Sequence, residues 1–324
     1  MPHVVLLRSL HPDAEAALAA EPGFTVETVH DTSRENLVAA MARAEAIIVR
    51  ATPINADFLS FSPNLALVAR HGVGYDQVDV PELTKRGIPL TVTADANALS
   101  VAEHAMMMML TIARQVQAFD ANTRAFKWSN IEAPTTWDLS GMTLLVVGFG
   151  RIGGRVARLA AAFGMDVLVH DPHVAMNTVK GAGFRYAKTM QDGLAQADWV
   201  TMHCPSNAEN RGMVNAEFLA AMKPGSRLVN TARGTLIEEA ALAAALRTGH
   251  IAAAGLDVFW AEPMARDNPL LDAPNVVMTP HTAAGTVQGM RRMGLSAVSS
   301  IIGYFKGELD EDMVINKETL RRNH

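Results

Sequence analysis

Short apolar runs alternate with alanine-rich, helix-periodic stretches along almost the whole chain. Residues 4–7, 24–29, 46–49, 65–69 and 89–92 read as strands. Residues 13–20 and 34–42 read as helices between them. Strands separated by helix-length segments predict βαβ units, and so a parallel sheet covered by helices. A long helix is expected over 99–119, with Ser100 as its N-cap and Glu103 completing a capping box. A polar, turn-rich stretch over 123–141 follows, containing Trp128, Pro134 and Trp137. From Met142 the alternation restarts with strands at 143–147, 166–170, 199–203, 227–230, 252–256 and 276–278. Helices fall at 151–163 and 238–246, a last helix at 286–306, and then a charged tail. The Met106–Met109 run reads as a buried helix face, since methionine fills irregular gaps. No internal repeat or low-complexity segment interrupts this rhythm.

The totals narrow the class. The chain has 324 residues, of which 49% are hydrophobic and 19% charged. That composition fits a globular protein, and the length fits two domains. A formal net charge of −5, without a basic stripe, argues against a nucleic-acid partner. The single cysteine, Cys204, makes no intrachain disulfide and points to a reducing compartment. The opening MPHVVLLRSLHPDAE has no basic leader before a long apolar core, so no signal peptide is expected. No apolar run approaches the ~20 residues that span a bilayer. The expectation is a soluble, cytoplasmic protein. The histidines show no metal-binding spacing, so no metal site is expected.

One strand ends in a glycine pattern. Gly148-Phe149-Gly150-Arg151-Ile152-Gly153 matches G-x-G-x-x-G between a strand and a helix, where a dinucleotide pyrophosphate is held. The first glycine makes the turn, the second admits the pyrophosphate, and the third lets helix and strand pack. The helix N-terminus then offers unpaired N–H groups and a positive dipole end. Asp171 closes the following strand, placed to bind the ribose hydroxyls. It would repel a 2′-phosphate, which favours NAD over NADP. His203, Cys204 and Pro205, at the end of another strand, read as lining of the cofactor site.

Further polar residues gather at strand ends in the second half. Arg233 follows strand 227–230. Asp257 follows 252–256, with Glu262 close behind. His281 follows 276–278 in VMTPHTAAGT, where a proline ends the strand and only small residues come after. Ligands of open α/β sheets bind beyond the carboxyl ends of the strands. Singly each residue has an ordinary structural explanation; together they suggest an active site.

These segments resemble the D-isomer-specific 2-hydroxyacid dehydrogenase family. The matching pieces are RHGVGYDQVD (70–79), NALSVAEH (97–104), VGFGRIGGRVA (147–157), NTARGTLIEEAAL (230–242), GLDVFWAEP (255–263) and TPHTAAGT (279–286), and they cover nearly the whole chain. The resemblance implies two doubly wound parallel-sheet domains, a Rossmann NAD domain inserted into a flavodoxin-like substrate domain, with a cleft between. The expected bounds are 1–98 plus 287–324 for the substrate domain and 99–286 for the dinucleotide domain. It implies His281 as acid/base, Glu262 as its carboxylate partner, and Arg233 as the group that grips the substrate carboxylate. It implies that Thr231 and Ala232 line the cofactor and that Asp257 faces the nicotinamide carboxamide; the small residues Ala283, Ala284 and Gly285 after the histidine are expected to leave room for the nicotinamide. Arg50, Asn97 and the backbone N–H groups of Val73 and Gly74 are the implied substrate contacts. A homodimer pairing through the cofactor domain and the long helix is implied as well.

Arg50 in IIVRAT and Asn97 resemble the phosphoglycerate dehydrogenase branch. Two departures favour a smaller 2-hydroxy or 2-keto acid instead. The chain stops soon after its last helix, so no regulatory domain is expected, and 129–137 carries no lysine or arginine to hold a phosphate. Asn210 stands where relatives often have threonine, with little consequence expected. D-3-phosphoglycerate remains an alternative, as does an NAD-sensing, corepressor-like binding protein that keeps the same triad. A formate-type enzyme is disfavoured, because those relatives carry glutamine in place of Glu262.

Overall fold

The computed structural model describes residues 1–128 and 135–322. The chain forms two compact units, one of Met1–Asn97 with Gly285–His324 and one of Ala98–Ala284. Each is built on a sheet of parallel strands.

The first unit holds β1 (His3–Leu7), β2 (Thr25–Val29), β3 (Ala46–Val49), β4 (Leu67–Arg70) and β5 (Leu90–Val92), in the order β2-β1-β3-β4-β5. Its inner strands read as unbroken apolar runs because both faces are covered. On one face Val5, Ile47, Val68 and Leu90 pack with Leu37 of α2 (Arg34–Met41), Phe58 of α3 (Ala56–Ser60) and Leu83 of α4 (Val80–Arg86). On the other, Val4, Leu6, Ala46, Ile48, Leu67 and Ala69 meet α1 (Pro12–Ala19) and the C-terminal helix α12 (Val287–Lys306) through Leu18, Ala297, Val298 and Ile301. The last segment is fastened by Asn316, which accepts from Leu90 N at 2.8 Å and donates to Ile88 O at 2.9 Å.

The second unit holds β6 (Thr143–Val147), β7 (Asp166–His170), β8 (Arg185–Tyr186), β9 (Trp199–Met202), β10 (Ser226–Asn230), β11 (Ile251–Leu256) and β12 (Val276–Met278). Their order, β12-β11-β10-β9-β6-β7-β8, reverses between β6 and β9, as in a doubly wound nucleotide fold. Its helices are α5 (Ala98–Ala113), α6 (Val116–Arg124), α7 (Gly153–Ala162), α8 (Met176–Gly181), α9 (Met190–Leu194), α10 (Ala216–Ala221) and α11 (Glu239–Arg247). Met106, Met108 and Met109 of α5 lie in the core with Val146, Val156 and Val229, while Met107 stays exposed.

Two expectations need correction. The helix foreseen over 99–119 is broken. α5 ends at Ala113, and Gln115 takes φ +48° before α6 begins. Ser100 is not an N-cap, because α5 starts at Ala98 and Ser100 is buried in its first turn. The segment 129–137, read as lacking a phosphate-binding cation, lies mostly outside the described residues. Among the described residues no helix is long and apolar enough to cross a membrane.

Candidate active site

The glycine loop sits where the strand order of the second unit reverses. β6 and β9 pair Val147 with Met202, so the chain leaving each strand is adjacent to the other. Gly148 takes φ +95°, and a Cβ there would stand 2.8 Å from Cys204 N. A Cβ on Gly153 would stand 1.9 Å from Gly148 O, whereas one on Gly150 meets nothing within 4 Å. Packing therefore dictates the first and third glycines, and the second keeps open a surface that a ligand backbone can approach. α7 has no side-chain cap and no acidic residue in its first turn, so nothing negative competes with an anion for the positive end of its dipole. Arg151 is exposed and Ile152 half-buried at this entrance. The Asp171 carboxylate accepts from Phe149 N at 2.7 Å and from His173 N at 2.8 Å. These bonds tie it to the glycine loop with lone pairs left for ribose hydroxyls. The residues present fit a dinucleotide.

At the end of β9, burial pushes His203 down to about 3, so the ring is neutral, and its Nε2 lies 2.9 Å from Thr201 Oγ1. Burial likewise pushes the Cys204 thiol up to about 11, which makes it a protonated wall rather than a nucleophile. Asn210 donates to Pro205 O at 2.6 Å and accepts from Asn207 N at 2.7 Å, shaping the loop that follows.

The remaining strands deliver the charged residues. Asn230 pairs with Leu256, and Leu256 with Met278, so β10, β11 and β12 end level with one another. Fully buried Asn230 accepts from Ala232 N at 3.0 Å and donates to Arg233 O at 2.8 Å, fixing the turn that presents Arg233. A Cβ on Gly234 would stand 1.9 Å from the Phe259 carbonyl. That contact packs the arginine turn onto the loop carrying Glu262. Phe259 N donates to Glu262 Oε1 at 3.0 Å, and His281 Nδ1 lies 2.6 Å from Glu262 Oε2. The hydrogen bond to Glu262, with the carboxylate charges of Glu262 and Asp257, outweighs burial and Arg233 and raises the His281 pKa. Burial alone would raise Glu262. The bonds from His281 and Phe259, with the charges of His281 and Arg233, bring it below its ordinary value instead. The pair therefore favours an imidazolium beside a carboxylate, with Arg233 close enough for its charge to act on both.

Asp257 has a task its sequence position did not announce. It is fully buried. Its Oδ1 accepts from Thr279 Oγ1 at 2.6 Å and Thr282 N at 2.8 Å, and its Oδ2 from Ala283 N at 2.9 Å. Its carbonyl accepts from His281 N at 2.7 Å. The side chain expected to face the nicotinamide is thus engaged beneath the histidine loop. It holds His281 in a left-handed conformation, φ +52°, that only a closely tied loop sustains.

The family model described as "D-isomer specific 2-hydroxyacid dehydrogenase, NAD binding domain" matches residues 106–283. This chain belongs to the D-isomer specific 2-hydroxyacid dehydrogenases. Its second unit is their NAD-binding domain. It is 40% identical over 315 residues to the D-3-phosphoglycerate dehydrogenase of Mycobacterium tuberculosis, covering 97% of this chain and 59% of that protein. It thus spans about three-fifths of that relative's length. The glyoxylate reductase of Korarchaeum cryptofilum is 38% identical over 272 residues, which is 83% of this chain and 81% of the relative. A solved D-lactate dehydrogenase from Aquifex aeolicus, complexed with NAD and lactic acid, superposes with a TM-score of 0.84. It is 28% identical, and the match covers 97% of this chain and 99% of that one.

In this family member the remaining candidates divide between the units. Thr231 is buried, its Oγ1 without a protein partner. Ala283 is buried, and Gly285, exposed, begins the return into the first unit. Arg50, Val73, Gly74 and Asn97 belong to the first unit. Among the described residues neither Val73 N–H nor Gly74 N–H donates to a protein acceptor, and Asn97 Oδ1 is buried without a partner. The sequence reading missed Asn230, Thr279 and His104 as supports. His104 Nε2 lies 3.0 Å from Thr279 Oγ1, behind Asp257. No signal in the sequence set His104 apart from the other polar residues of α5.

Proposed function

We propose that this chain is an NAD-dependent oxidoreductase that interconverts a small D-2-hydroxy acid and its 2-keto acid. The observation that carries the reading is the 2.6 Å contact between His281 Nδ1 and Glu262 Oε2, with Arg233 presented beside it. NAD(H), when bound, supplies or removes a hydride. The protein must then supply or remove a proton at the substrate oxygen. His281 Nε2 does this: as imidazolium it donates to the carbonyl oxygen in reduction, and as imidazole it accepts from the hydroxyl in oxidation. Glu262 holds the ring by its other nitrogen and keeps the proton available. Arg233 offers the fork geometry that grips a carboxylate.

Gly148, Gly150, Arg151, Ile152, Gly153 and Asp171 hold the phosphates and ribose in this reading. His203, Cys204, Pro205, Thr231, Ala232, Ala283 and Gly285 line the rest of the cofactor. Arg50, Val73, Gly74 and Asn97 take the acid. Hydroxypyruvate and glyoxylate are the substrates we favour, with 3-phosphohydroxypyruvate as the alternative. A homodimer in the cytoplasm completes the proposal.

The test is NADH oxidation with a panel of 2-keto acids, including 3-phosphohydroxypyruvate, by the wild type and His281→Ala. At least one acid is expected to turn over, and the variant to lose the rate by 10²-fold or more. Tight NADH binding without turnover of any acid would replace this reading by that of an NAD-sensing binding protein.

A further inference from the structure

The five-stranded sheet has its own reversal of strand order, between β1 and β3, and the carboxyl edge there is cationic. β1 and β3 pair Leu6 with Ile48; Arg8 and Arg50 each follow two residues later, near enough for the charge of Arg8 to act on Arg50. β3 and β4 pair Val49 with Arg70, which sets Arg50 opposite His71. β4 and β5 pair Arg70 with Val92, which sets His71 opposite Thr93. One row thus crosses the strand ends: Arg8, Arg50, His71, Thr93.

The row faces the start of α12. Arg50 Nη2 lies 3.9 Å from Met290 Sδ, and His71 Nε2 lies 3.9 Å from where a Cβ on Gly294 would stand. The first turn of α12 carries no acidic residue. Acids near this end are already engaged, Asp13 with Arg291 and Glu15 with Leu10 N.

Such a row is costly as it stands. Neighbouring strands run roughly 4.8 Å apart, and like charges placed opposite each other repel. Burial, and then the charge of Arg8, hold the half-buried Arg50 below its ordinary value. Burial and the nearby Arg50 push His71 down to about 4, so it adds a neutral ring. Among the described residues neither Arg8 nor Arg50 has a carboxylate within ion-pair distance. Arg8 also sits at φ +83°, a left-handed conformation that a long side chain adopts only under constraint. His71 Nε2 and Thr93 Oγ1 are buried with no protein partner. Two guanidiniums and two unpaired polar atoms at a topological switch point lack one thing, an anion with several acceptor oxygens.

We propose that Arg8 acts with Arg50 as an anion-binding site for a second anionic group of the substrate, a phosphate ester or a distal carboxylate. The proposal rests on the oxidoreductase reading and sharpens its substrate class. The cation sought in 129–137 would come instead from the end of the first strand.

The test is calorimetric titration of the full chain, without NAD(H), by two pairs of acids. D-3-phosphoglycerate is compared with D-glycerate, and D-malate with D-lactate. The wild type is expected to bind the doubly anionic member of one pair at least tenfold more tightly, and that pair identifies the group as phosphate or carboxylate. Arg8→Gln should lower this ratio about tenfold, and Arg8→Lys should restore most of it. A wild-type ratio near one in both pairs, or one that Arg8→Gln leaves unchanged, overturns the site. An Arg8-dependent ratio in a protein that reduces no keto acid leaves the site standing and removes the oxidoreductase reading. Turnover with an Arg8-independent ratio does the reverse.

Discussion

His281 and Glu262 lie nineteen residues apart in sequence and 2.6 Å apart in space. Glu262 raises the histidine, so the imidazolium needed for reduction persists to higher pH. Keto-acid reduction should therefore fall as pH rises through that raised pKa. In Glu262→Gln the fall should come at lower pH, with reduction near pH 8 slower by about tenfold. A pH–rate profile of kcat/KM that is unmoved in Glu262→Gln would show that the carboxylate does not tune the histidine. The support behind the pair is testable separately. His104→Leu removes the donor to Thr279, loosening the grip of Asp257 on residues 279–283. We expect kcat about tenfold lower with KM for NADH within twofold, and recovery of most of the loss in His104→Gln. Equal damage in both variants would mean that His104 serves only to fill space. The charged members of this site were legible because each stands alone beyond an apolar strand. His104 and Thr279 were not, because a polar residue on a buried helix or before a proline looks the same whether or not it braces a loop.

The inner parallel strands were readable as continuous apolar runs, since burial on both faces removes polar alternation, whereas the two-residue edge strand β8 was not foreseen. Helices of seven residues or fewer, such as α3, α4, α8, α9 and α10, are too short to establish a helical period and were not foreseen. The break between α5 and α6 was invisible because Gln115 adopts a positive φ with no glycine or proline to mark it. Ser100 misled because serine and glutamate three apart also occur inside a helix. The glycine loop was legible in full, and the structure separates its glycines by cause. Gly153→Ala forces a Cβ to 1.9 Å from Gly148 O, so it should cost roughly 1–3 kcal/mol in denaturant unfolding. Gly150→Ala meets no protein atom within 4 Å, so its Tm should be unchanged while NADH binding weakens by tenfold or more. A Gly150→Ala protein that binds NADH as well as the wild type would take the pyrophosphate away from this loop.

At the scale of the molecule, the family resemblance anticipated the two doubly wound sheets, and the observed strand orders agree. Neither order could be read from apolar runs alone, because strand sequence does not state which neighbours pair. The exposed apolar residues bear on the proposed association. Leu99 and Met107 of α5, Val116 of α6, and Phe126, Trp128 and Trp137 beyond it are all exposed, Phe126 at 90% and Trp128 at 85%. An apolar set of this size on consecutive elements is the pattern of a surface that is covered by a partner. The proposed homodimer supplies that partner if a second copy presents the same face. Sedimentation equilibrium should then give about twice the chain mass of 34.8 kDa. Val116→Glu with Phe126→Glu would bury two unpaired charges in each half of the interface, enough to raise the dimer Kd by 10³-fold or more. A wild type that sediments as a monomer at micromolar concentration would refute the dimer, and a double variant that remains dimeric would place the interface on another face.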